Sequence, residues 1–391
     1  MPQRVSPRSA FRAPRSVSRA PRSALRAPRS VFCAPRSALC ALFLAIPAGA
    51  AAPQAPSYLV YVASESADEV TLLRFMPGRG FTVDNVIPVG FYPAEMEGPH
   101  GINLGPAGEH WYLTLGHGFP FGSLLKYRTG VDTLEGVTEL GLFPATLAVS
   151  PLGGFVFAVN ANFHGEHEPG TVSVVDGVTM TEVERIPTCT MPHGSRLTSD
   201  GAYQYHTCMM DDVLVEIDVT ALESSRALAV GPAAREHRDH RVEPTERCSP
   251  TWAAPTPDDR RVFVMCNRTD EIVEVDRARW EVARRWAAPR GPYNAEVTPD
   301  GRRLVVTQKG SGEVTVWDTQ TARLLARVPS VRKVTHGVTI PPDGRYAFIS
   351  VEGIGGEPGA VEVIDLGTLE KVATVDVGKQ AGGIIFWRMA S

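Results

Sequence analysis

Residues 335–344 of the chain read THGVTIPPDG, and five earlier stretches share this pattern of an apolar strand followed by a tight turn. The other copies are 99–108 (PHGINLGPAG), 144–153 (PATLAVSPLG), 192–201 (PHGSRLTSDG), 250–259 (PTWAAPTPDD) and 292–301 (PYNAEVTPDG). Pro, Asp and Gly supply the backbone conformations that a tight turn requires. Strand-and-turn repeats at a period of about 40 to 50 residues are typical of β-propellers, in which each repeat forms one blade. The sequence therefore predicts an all-β propeller.

A seventh copy of the pattern begins near the end of the chain, at 380–387 (QAGGIIFW), and supplies a single strand. Three strands without a first strand of their own precede the first repeat: 57–64 (SYLVYVAS), 69–75 (EVTLLRF) and 81–89 (FTVDNVIPV). Joining the two ends of the chain in one blade removes the free sheet edges and closes the ring. We therefore expect seven blades, the last one closed by three N-terminal strands and one C-terminal strand.

The first 50 residues differ in composition from the rest of the chain. They are rich in Arg, Pro, Ser and Ala, and they hold nine Arg and no acidic residue. The apolar run at 38–48 is too short to span a bilayer, and Ala48-Gly49-Ala50 resembles the small-residue site that signal peptidase cleaves. We expect residues 1–50 to be a leader with a signal peptide that is removed near Ala50, and residues 51–391 to form the propeller in the periplasm or outside the cell.

Charge and hydropathy limit the partners of the propeller. Of 39 basic residues nine lie in the leader, so 30 basic residues face 43 acidic ones after cleavage, a net charge of −13. Such a surface repels nucleic acid and anionic lipid. Since no later stretch approaches 18 apolar residues, we expect no membrane span. A small molecule or a protein remains as the partner class, and a monomer is compatible with the sequence.

One position of the repeat is chemically distinctive. The residue eight places before the end of each copy is His100, Ala145, His193, Thr251, Tyr293 or His336. Because this position begins the innermost strand of each blade, the three histidines should face one central channel. Three neutral imidazoles with an open fourth position suit copper, our first choice, or zinc. The alternative is that these histidines only hydrogen-bond to water and to backbone carbonyls.

The stretch 157–176 (FAVNANFHGEHEPGTVSVVD) resembles the blade motif of the YVTN family of exported β-propellers, and looser copies extend the resemblance over 57–390. The wider class includes the propeller domains of nitrous oxide reductase and of cytochrome cd-type nitrite reductase. In the former, histidines followed by glycine hold copper at the channel mouth. The pairs His100-Gly101, His193-Gly194 and His336-Gly337 match that context, so the resemblance implies a copper site, with a redox-linked role.

In this fold the loop after the second strand of a blade lies on the same face as the start of the innermost strand. We therefore expect accessory groups near the three histidines. Candidates are His117, His164, His167, Met209 and Met210. His206 replaces an apolar strand residue of other blades, which favours a hydrogen-bonded histidine in the core.

Four cysteines lie beyond the leader, two in each of two consecutive blades. Cys189 and Cys248 precede first strands, whereas Cys208 and Cys266 end second strands. In an oxidising compartment this predicts the disulfides Cys189–Cys208 and Cys248–Cys266. A rival interpretation groups Cys189 and Cys208 with His193 and nearby methionines as soft copper ligands.

Other enzyme motifs are missing from the sequence. It has no G-x-S-x-G elbow, no phosphate-binding P-loop, no paired-Cys zinc spacing and no C-x-x-C-H segment, so no covalent haem is expected. The insertion at 231–248 is interpreted as a solvated loop, with a lid or docking site as the alternative. The competing function is a non-catalytic propeller scaffold that docks a protein or an envelope component.

Overall fold

The computed structural model describes residues 56–92, 94–117, 121–164, 167–232 and 247–390. The leader predicted at 1–50 and the middle of the insertion, 233–246, lie outside these residues. Within them the chain forms 28 strands and one short 3₁₀ turn, Glu65–Ala67. The strands make seven antiparallel sheets of four strands each, which confirms the seven-bladed β-propeller.

Each blade is named here by its four strands, from the channel outward. Blade one holds β4 (Pro99–Leu104), β5 (His110–Leu115), β6 (Ser123–Arg128) and β7 (Thr133–Glu139). Blade two holds β8 (Pro144–Val149), β9 (Phe155–Asn160), β10 (Pro169–Asp176) and β11 (Thr181–Thr190). Blade three holds β12 (Pro192–Leu197), β13 (Tyr203–Cys208), β14 (Val213–Asp218) and β15 (Glu223–Ala229). Blade four holds β16 (Pro250–Pro255), β17 (Arg261–Cys266), β18 (Glu271–Asp276) and β19 (Glu281–Ala287).

The remaining blades follow the same order. Blade five holds β20 (Pro292–Val297), β21 (Arg303–Gln308), β22 (Glu313–Asp318) and β23 (Leu324–Pro329). Blade six holds β24 (Val334–Thr339), β25 (Tyr346–Glu352), β26 (Gly359–Asp365) and β27 (Glu370–Val377). Blade seven holds β28 (Ala381–Ala390), β1 (Ser57–Ser64), β2 (Glu69–Met76) and β3 (Gly80–Pro88).

Blade seven joins the two ends of the described chain. Strand β28 pairs with β1 in an antiparallel register, with Tyr61 opposite Ile385 and Tyr58 opposite Met389. The closure predicted from the unpartnered C-terminal strand is therefore confirmed. Without β28, blade seven would have no innermost strand. Its pairing with β1 gives every blade four strands and completes the ring.

Every innermost strand carries a β-bulge near its start. In blade three, His193 lies opposite Thr207 and Arg196 lies opposite Tyr205, so three residues of β12 span two of β13. The same extra residue occurs in the other six blades. Successive side chains of a strand alternate between its faces, and one extra residue shifts that alternation. Residues three apart across the bulge therefore face the channel together.

The core lies between neighbouring blades. Between blades seven and one, Tyr61 packs with Trp111 and Leu113, all fully buried. Trp111 also stacks on Tyr127 at 4.1 Å between ring centroids. Each such side chain contributes about 1.5 to 3 kcal/mol of burial, so the ring depends on the contacts between sheets.

Two disulfides tie the second strands of blades three and four to the chain that enters each blade. Cys189 is bonded to Cys208 with Cα atoms 5.8 Å apart, and Cys248 to Cys266 at 4.5 Å. Both predicted pairings are confirmed. The bonds are consistent with an exported protein, because disulfides persist in oxidising compartments. Among the described residues, no helix is long and apolar enough to cross a bilayer.

We expect deletion of residues 381–391 to abolish the cooperative thermal unfolding transition, because β1 loses its inner partner and the buried Ala381 and Ile384 are removed. Circular dichroism melting measures this. Replacing the exposed Met389 by Ser, which keeps the strand, should leave the melting curve unchanged. A deletion variant that melts like the full chain would refute the closure.

We expect the double variant Cys248→Ala/Cys266→Ala to lose about 3 kcal/mol in its free energy of unfolding. The two cysteines are 18 residues apart, and a disulfide that closes a loop of about 15 residues stabilises a protein by about this amount, because it restricts the unfolded chain. Chemical denaturation of the oxidised protein measures the loss. Peptide mapping without reductant should show only the two pairs above. Crossed pairing between the blades would contradict the assignment.

Candidate functional site

Aspartate side chains hold the chain where it passes from one blade to the next. The carboxylate of Asp68 accepts hydrogen bonds from the backbone N–H groups of Glu97 and Gly98, at 3.1 and 2.8 Å. Asp270 accepts one from Gly291 at 2.7 Å. Each bond fixes the backbone two residues before the next innermost strand turns its first side chain into the channel.

The first inward residues of the seven innermost strands form what we call the upper ring: His100, Ala145, His193, Thr251, Tyr293, His336 and Gly382. Its three histidines converge. The ring centroid of His100 lies 6.2 Å from that of His193 and 5.5 Å from that of His336. All three are at most 7% exposed. The structure therefore brings together three imidazoles from blades one, three and six.

Backbone carbonyls of the next blade orient these rings. Nδ1 of His100 donates to the carbonyl of Ala145 at 2.6 Å, and Nδ1 of His193 donates to that of Thr251 at 2.8 Å. In the neutral form of either ring Nδ1 carries the proton, which leaves the lone pair on Nε2. The equivalent neighbour of His336 is Gly382, and Nδ1 of His336 makes no hydrogen bond of normal geometry to it or to any other described residue. His336 is thus the least constrained of the three.

Two carboxylates face the upper ring. Glu65 Oε2 lies 3.8 Å from Nε2 of His100, and Glu352 Oε1 lies 3.7 Å from Nε2 of His336. Both separations exceed hydrogen-bond length. Glu65 accepts a hydrogen bond from Nε2 of His117 at 2.8 Å, and Glu352 accepts one from the Lys309 ammonium at 2.8 Å.

Tyr293 links two of the histidines. Its hydroxyl donates to Nε2 of His193 at 3.3 Å, and its ring centroid lies 4.8 Å from that of His336. The Lys309 ammonium lies 4.4 Å from the centroid of the Tyr293 ring, within cation–π range. Tyr293 and Lys309 thus occupy the gap that the histidines leave on the side of blade five.

Burial sets the protonation states. It lowers the pKa of His193 to about 3, with repulsion from His100 acting in the same direction, and it lowers the pKa of His336 well below its usual value. Burial raises the pKa of Tyr293 to about 12. Burial alone would raise the pKa of Glu65, but His100 and His117 outweigh it and the net shift is downward. At neutral pH the site thus holds neutral imidazoles on His193 and His336, an ionised carboxylate and a protonated phenol.

Aromatic side chains cover the upper ring. Phe143 packs edge-on against His100, His117 and His164, with centroids 5.8, 5.0 and 5.1 Å away. Phe163 stacks on His193 at 5.7 Å. Phe143 has a left-handed backbone with φ of 49°, which is unfavourable for a residue other than glycine. The fold maintains this strained residue between the upper ring and the loop histidines.

The accessory residues predicted from the loops separate into two groups. Nε2 of His164 lies 3.2 Å from Nδ1 of His117, so both join Glu65 in one polar chain. Met209 lines an open depression beside His193. Met210 is partly exposed and His167 is exposed, and neither lines that depression.

One other cluster has metal-ligand geometry. The possible ligand atoms of Cys189, His206 and Cys208 lie within 4.8 Å of one another, and this is the only such group of three among the described residues. Its two sulfurs are bonded to each other, however, so they offer no thiolate while the disulfide is intact. The soft copper cluster of the rival interpretation is therefore not supported. His206 contacts Thr188 Oγ1 at 2.6 Å and Gln204 Oε1 at 3.1 Å, which confirms a hydrogen-bonded core histidine.

Sequence reasoning missed Glu65, Lys309 and Glu352 as site residues. A usable signal was present, because each lies at or directly after the end of the second strand of its blade, as His117 and Met209 do. The sequence places these strand ends on the same face as the three histidines, so acidic and basic residues there are site candidates as much as histidines and methionines are. The carboxylates and the lysine follow from the same rule.

The comparisons with known proteins concern mainly the fold. A family model described as "Cytochrome D1 heme domain" matches residues 300–386, which contain His336 but neither His100 nor His193. The chain is a β-propeller similar to that domain. This supports the predicted relation to the propellers of cytochrome cd-type nitrite reductase at the level of fold. A search of functionally curated proteins gave no match.

Two solved structures share the architecture. Hydrazine synthase of Kuenenia stuttgartiensis is 19% identical with a TM-score of 0.59, and the match covers 76% of this chain and 93% of that one. A functionally unknown protein from Desulfotomaculum acetoxidans is 13% identical with a TM-score of 0.65, covering 84% of this chain and 98% of that one. At these identities the similarity shows the propeller fold alone.

The glycines that follow the ring histidines have a steric cause. A Cβ atom on Gly337 would lie 2.7 Å from the carbonyl oxygen of Gly382, and one on Gly101 would lie 2.9 Å from that of Ala145. Real Cβ atoms do not approach backbone this closely. The His-Gly pairs therefore reflect crowding of adjacent innermost strands, and they are not by themselves evidence for copper.

We expect Gly337→Ala to destabilise the protein by about 1 to 3 kcal/mol, the usual cost of overpacking a core. Gly356→Ala is the matched control, because a Cβ atom there meets nothing within 4 Å. Denaturant unfolding compares the two variants. Equal stability of both would refute the steric explanation.

Proposed function

We propose that the upper ring binds one transition-metal ion through Nε2 of His100, His193 and His336, and that copper or zinc fills the site. The observation that carries the proposal is the convergence of three buried imidazoles, two of them held by Nδ1 hydrogen bonds to carbonyls. Metal-binding histidines commonly have this arrangement, in which the carbonyl fixes the tautomer and the ring orientation.

The surrounding charges support a cation. Glu65 is an ionised, buried carboxylate near His100, and its contacts are to histidines, whereas Glu352 is compensated by Lys309. A buried anion is costly without a cation beside it, and histidines that ligate a metal must be neutral, so they cannot supply that charge themselves. A metal ion at the upper ring offsets the charge of Glu65, and a carboxylate with three imidazoles forms a donor set that copper(II) and zinc both accept.

Metal binding must draw the imidazoles inward. The ring nitrogens of the three histidines do not all lie within 4.8 Å of one another, so the site is wider than one that is already closed around a metal ion. The contact of Nδ1 of His336 with the backbone of Gly382 falls outside normal hydrogen-bond geometry, whereas His100 and His193 make Nδ1 hydrogen bonds of 2.6 and 2.8 Å. The His336 ring is therefore the one that moves most easily toward the two anchored histidines.

The remaining coordination position would be open to water or a small molecule. Metal binding at Nε2 of His193 would release the Tyr293 hydroxyl, which otherwise donates to that atom. The Tyr293 hydroxyl and the Lys309 ammonium both remain protonated at neutral pH, because burial raises the pKa of Tyr293 to about 12 and because, although burial opposes it, attraction to Tyr293 and Glu352 raises the pKa of Lys309. They would hydrogen-bond an anionic or carbonyl-bearing ligand on the metal. The His164–His117–Glu65 chain links this region with the exposed His164.

A haem, which the matched family description suggests, does not fit within the upper ring. Ring centroids only 5.5 and 6.2 Å apart leave space for an ion but not for a tetrapyrrole between the histidines, and Phe143 and Phe163 cover two of them. Haem chemistry is therefore not assigned to these residues. The result that agrees with this geometry is a haemin Soret band that neither shifts nor sharpens when haemin is titrated into the purified protein.

We expect the purified chain to hold about one equivalent of copper or zinc, measured by elemental analysis after dialysis. His100→Ala, His193→Ala and His336→Ala should each lower metal affinity by at least about tenfold, since each removes one of three ligands. His110→Ala is the matched control, because His110 also pairs with a carboxylate, Glu135 at 2.8 Å, but begins β5 and is not part of the upper ring.

Equal metal content in the His110 variant and the three ring variants would overturn the site. A wild-type protein that takes up neither metal would do the same, and it would favour the alternative of a propeller that docks a protein through its histidine face. Disulfides support export in either case. The signal peptide and the periplasmic or secreted location remain proposals from the sequence.

A further inference from the structure

The channel has a second ring of side chains below the upper ring. Because of the bulge, the residue three places after each upper-ring position also faces the channel. We call these seven positions the lower ring: Asn103, Ala148, Arg196, Ala254, Glu296, Thr339 and Ile385. It contains one cation and one acid, in blades three and five.

The lower ring lies in a chamber at the end of the channel away from the histidines. Its volume is about 360 Å³, within the range of pockets for small organic ligands. Six of the seven innermost strands line it. Apart from Arg196, Glu296 and a few neutral polar groups, the walls are aliphatic or aromatic, with Leu197, Ile340 and Phe386 among them.

Arg196 has unused hydrogen-bonding capacity. Its guanidinium makes two long hydrogen bonds, from Nη1 to the carbonyl of Ser195 at 3.4 Å and from Nη2 to Oδ1 of Asn294 at 3.3 Å. It lies over the Trp252 ring, 5.1 Å from the centroid. A guanidinium has five N–H donors and remains charged in proteins. Such a group, stacked and weakly bonded, is suited to bind a carboxylate with two parallel hydrogen bonds.

Glu296 faces the same chamber without closing an ion pair. Its carboxylate accepts one hydrogen bond, from the backbone N–H of Ile340 at 3.1 Å, and no ion pair within 4.0 Å joins it to Arg196. Burial raises its pKa to about 7, and attraction to Arg196 opposes this shift. The guanidinium of Arg196 and the carboxyl group of Glu296 therefore line the same chamber without contacting each other.

We propose that this chamber binds a small organic carboxylate with an apolar tail, whose carboxylate group pairs with Arg196. If the ligand is an amino acid, Glu296 contacts its ammonium group. If the ligand is a simple fatty acid, Glu296 makes no polar contact with it. The aliphatic walls take the tail. The site is independent of metal binding at the upper ring.

The chamber narrows toward the histidines. A space of about 40 Å³, lined by Arg196, Asn294, His100 and His336, continues from it, and both spaces share Arg196 and Ile102. This space admits about one water molecule. A carboxylate held on Arg196 would therefore lie close below the upper ring, whereas its tail must remain in the chamber.

Isothermal titration calorimetry of the full mature chain with butyrate, leucine and butylamine tests the proposal. We expect wild-type protein to bind butyrate or leucine and not butylamine. Arg196→Gln should weaken binding by about tenfold or more, since a charge-assisted pair is lost, and Arg196→Lys should restore part of it. If the ligand is an amino acid, Glu296→Gln should weaken the binding of leucine and leave the binding of butyrate unchanged. If Glu296→Gln changes the binding of leucine and of butyrate equally, the ligand is a simple carboxylate.

The matched control is Arg388→Gln, because Arg388 also lies over a tryptophan ring, that of Trp387 at 4.2 Å, but is exposed outside the channel. It should bind like wild type. Circular dichroism and metal content, both expected to be unchanged in the Arg196 variants, exclude misfolding. The proposal is overturned if no carboxylate probe binds at millimolar concentration, or if Arg196→Gln binds as tightly as wild type.

Discussion

The structure depends on the convergence of seven innermost strands around one axis, which the pairing of β28 with β1 completes. Closure brings the starts of these strands so close that a side chain after the ring position often cannot be accommodated, as at Gly101 and Gly337. The bulge in every innermost strand is the second consequence, because it turns the residue three places on back toward the axis. The channel therefore presents two stacked rings of side chains, and the identity of seven residues in each determines its chemistry.

The upper ring is unfavourable for stability in several respects. His336 buries an Nδ1 atom whose contact with the backbone of Gly382 lacks normal hydrogen-bond geometry, so this polar atom is poorly satisfied. Burial also opposes the charge of Glu65, although two histidines reverse the net shift. Phe143 adds a left-handed backbone. Buried polar groups, shifted pKa values and backbone strain at one place are features of functional sites, since an apolar filling of the same ring would avoid these costs.

Much of the fold could be predicted from the sequence, because the repeat fixes the spacing of strands and turns. The six copies predicted the innermost strands, and the unpartnered strand at Ala381 predicted how the ring closes. The disulfides followed from equivalent positions of Cys208 and Cys266 in adjacent blades. The convergence of the three histidines also followed from the repeat. The bulge did not, because it depends on pairing with the second strand, and the pattern of apolar residues does not show where one strand gains a residue. Arg196 and Glu296 were therefore not recognised as channel residues.

The bulge also explains why the two ends of the channel differ in character. In blade three the upper position is His193 and the lower is Arg196, and in blade five they are Tyr293 and Glu296, so these two blades combine a neutral polar group above with an ionisable group below. Arg196 and Lys309 both lower the affinity of nearby positions for a cation, but Lys309 is paired with Glu352 whereas Arg196 has only long contacts with neutral groups. A cation is therefore favoured near Glu65 in the upper ring, and an anion near Arg196 in the lower one. The narrow space between them would keep the two proposed ligands apart while leaving them close enough for their charges to attract.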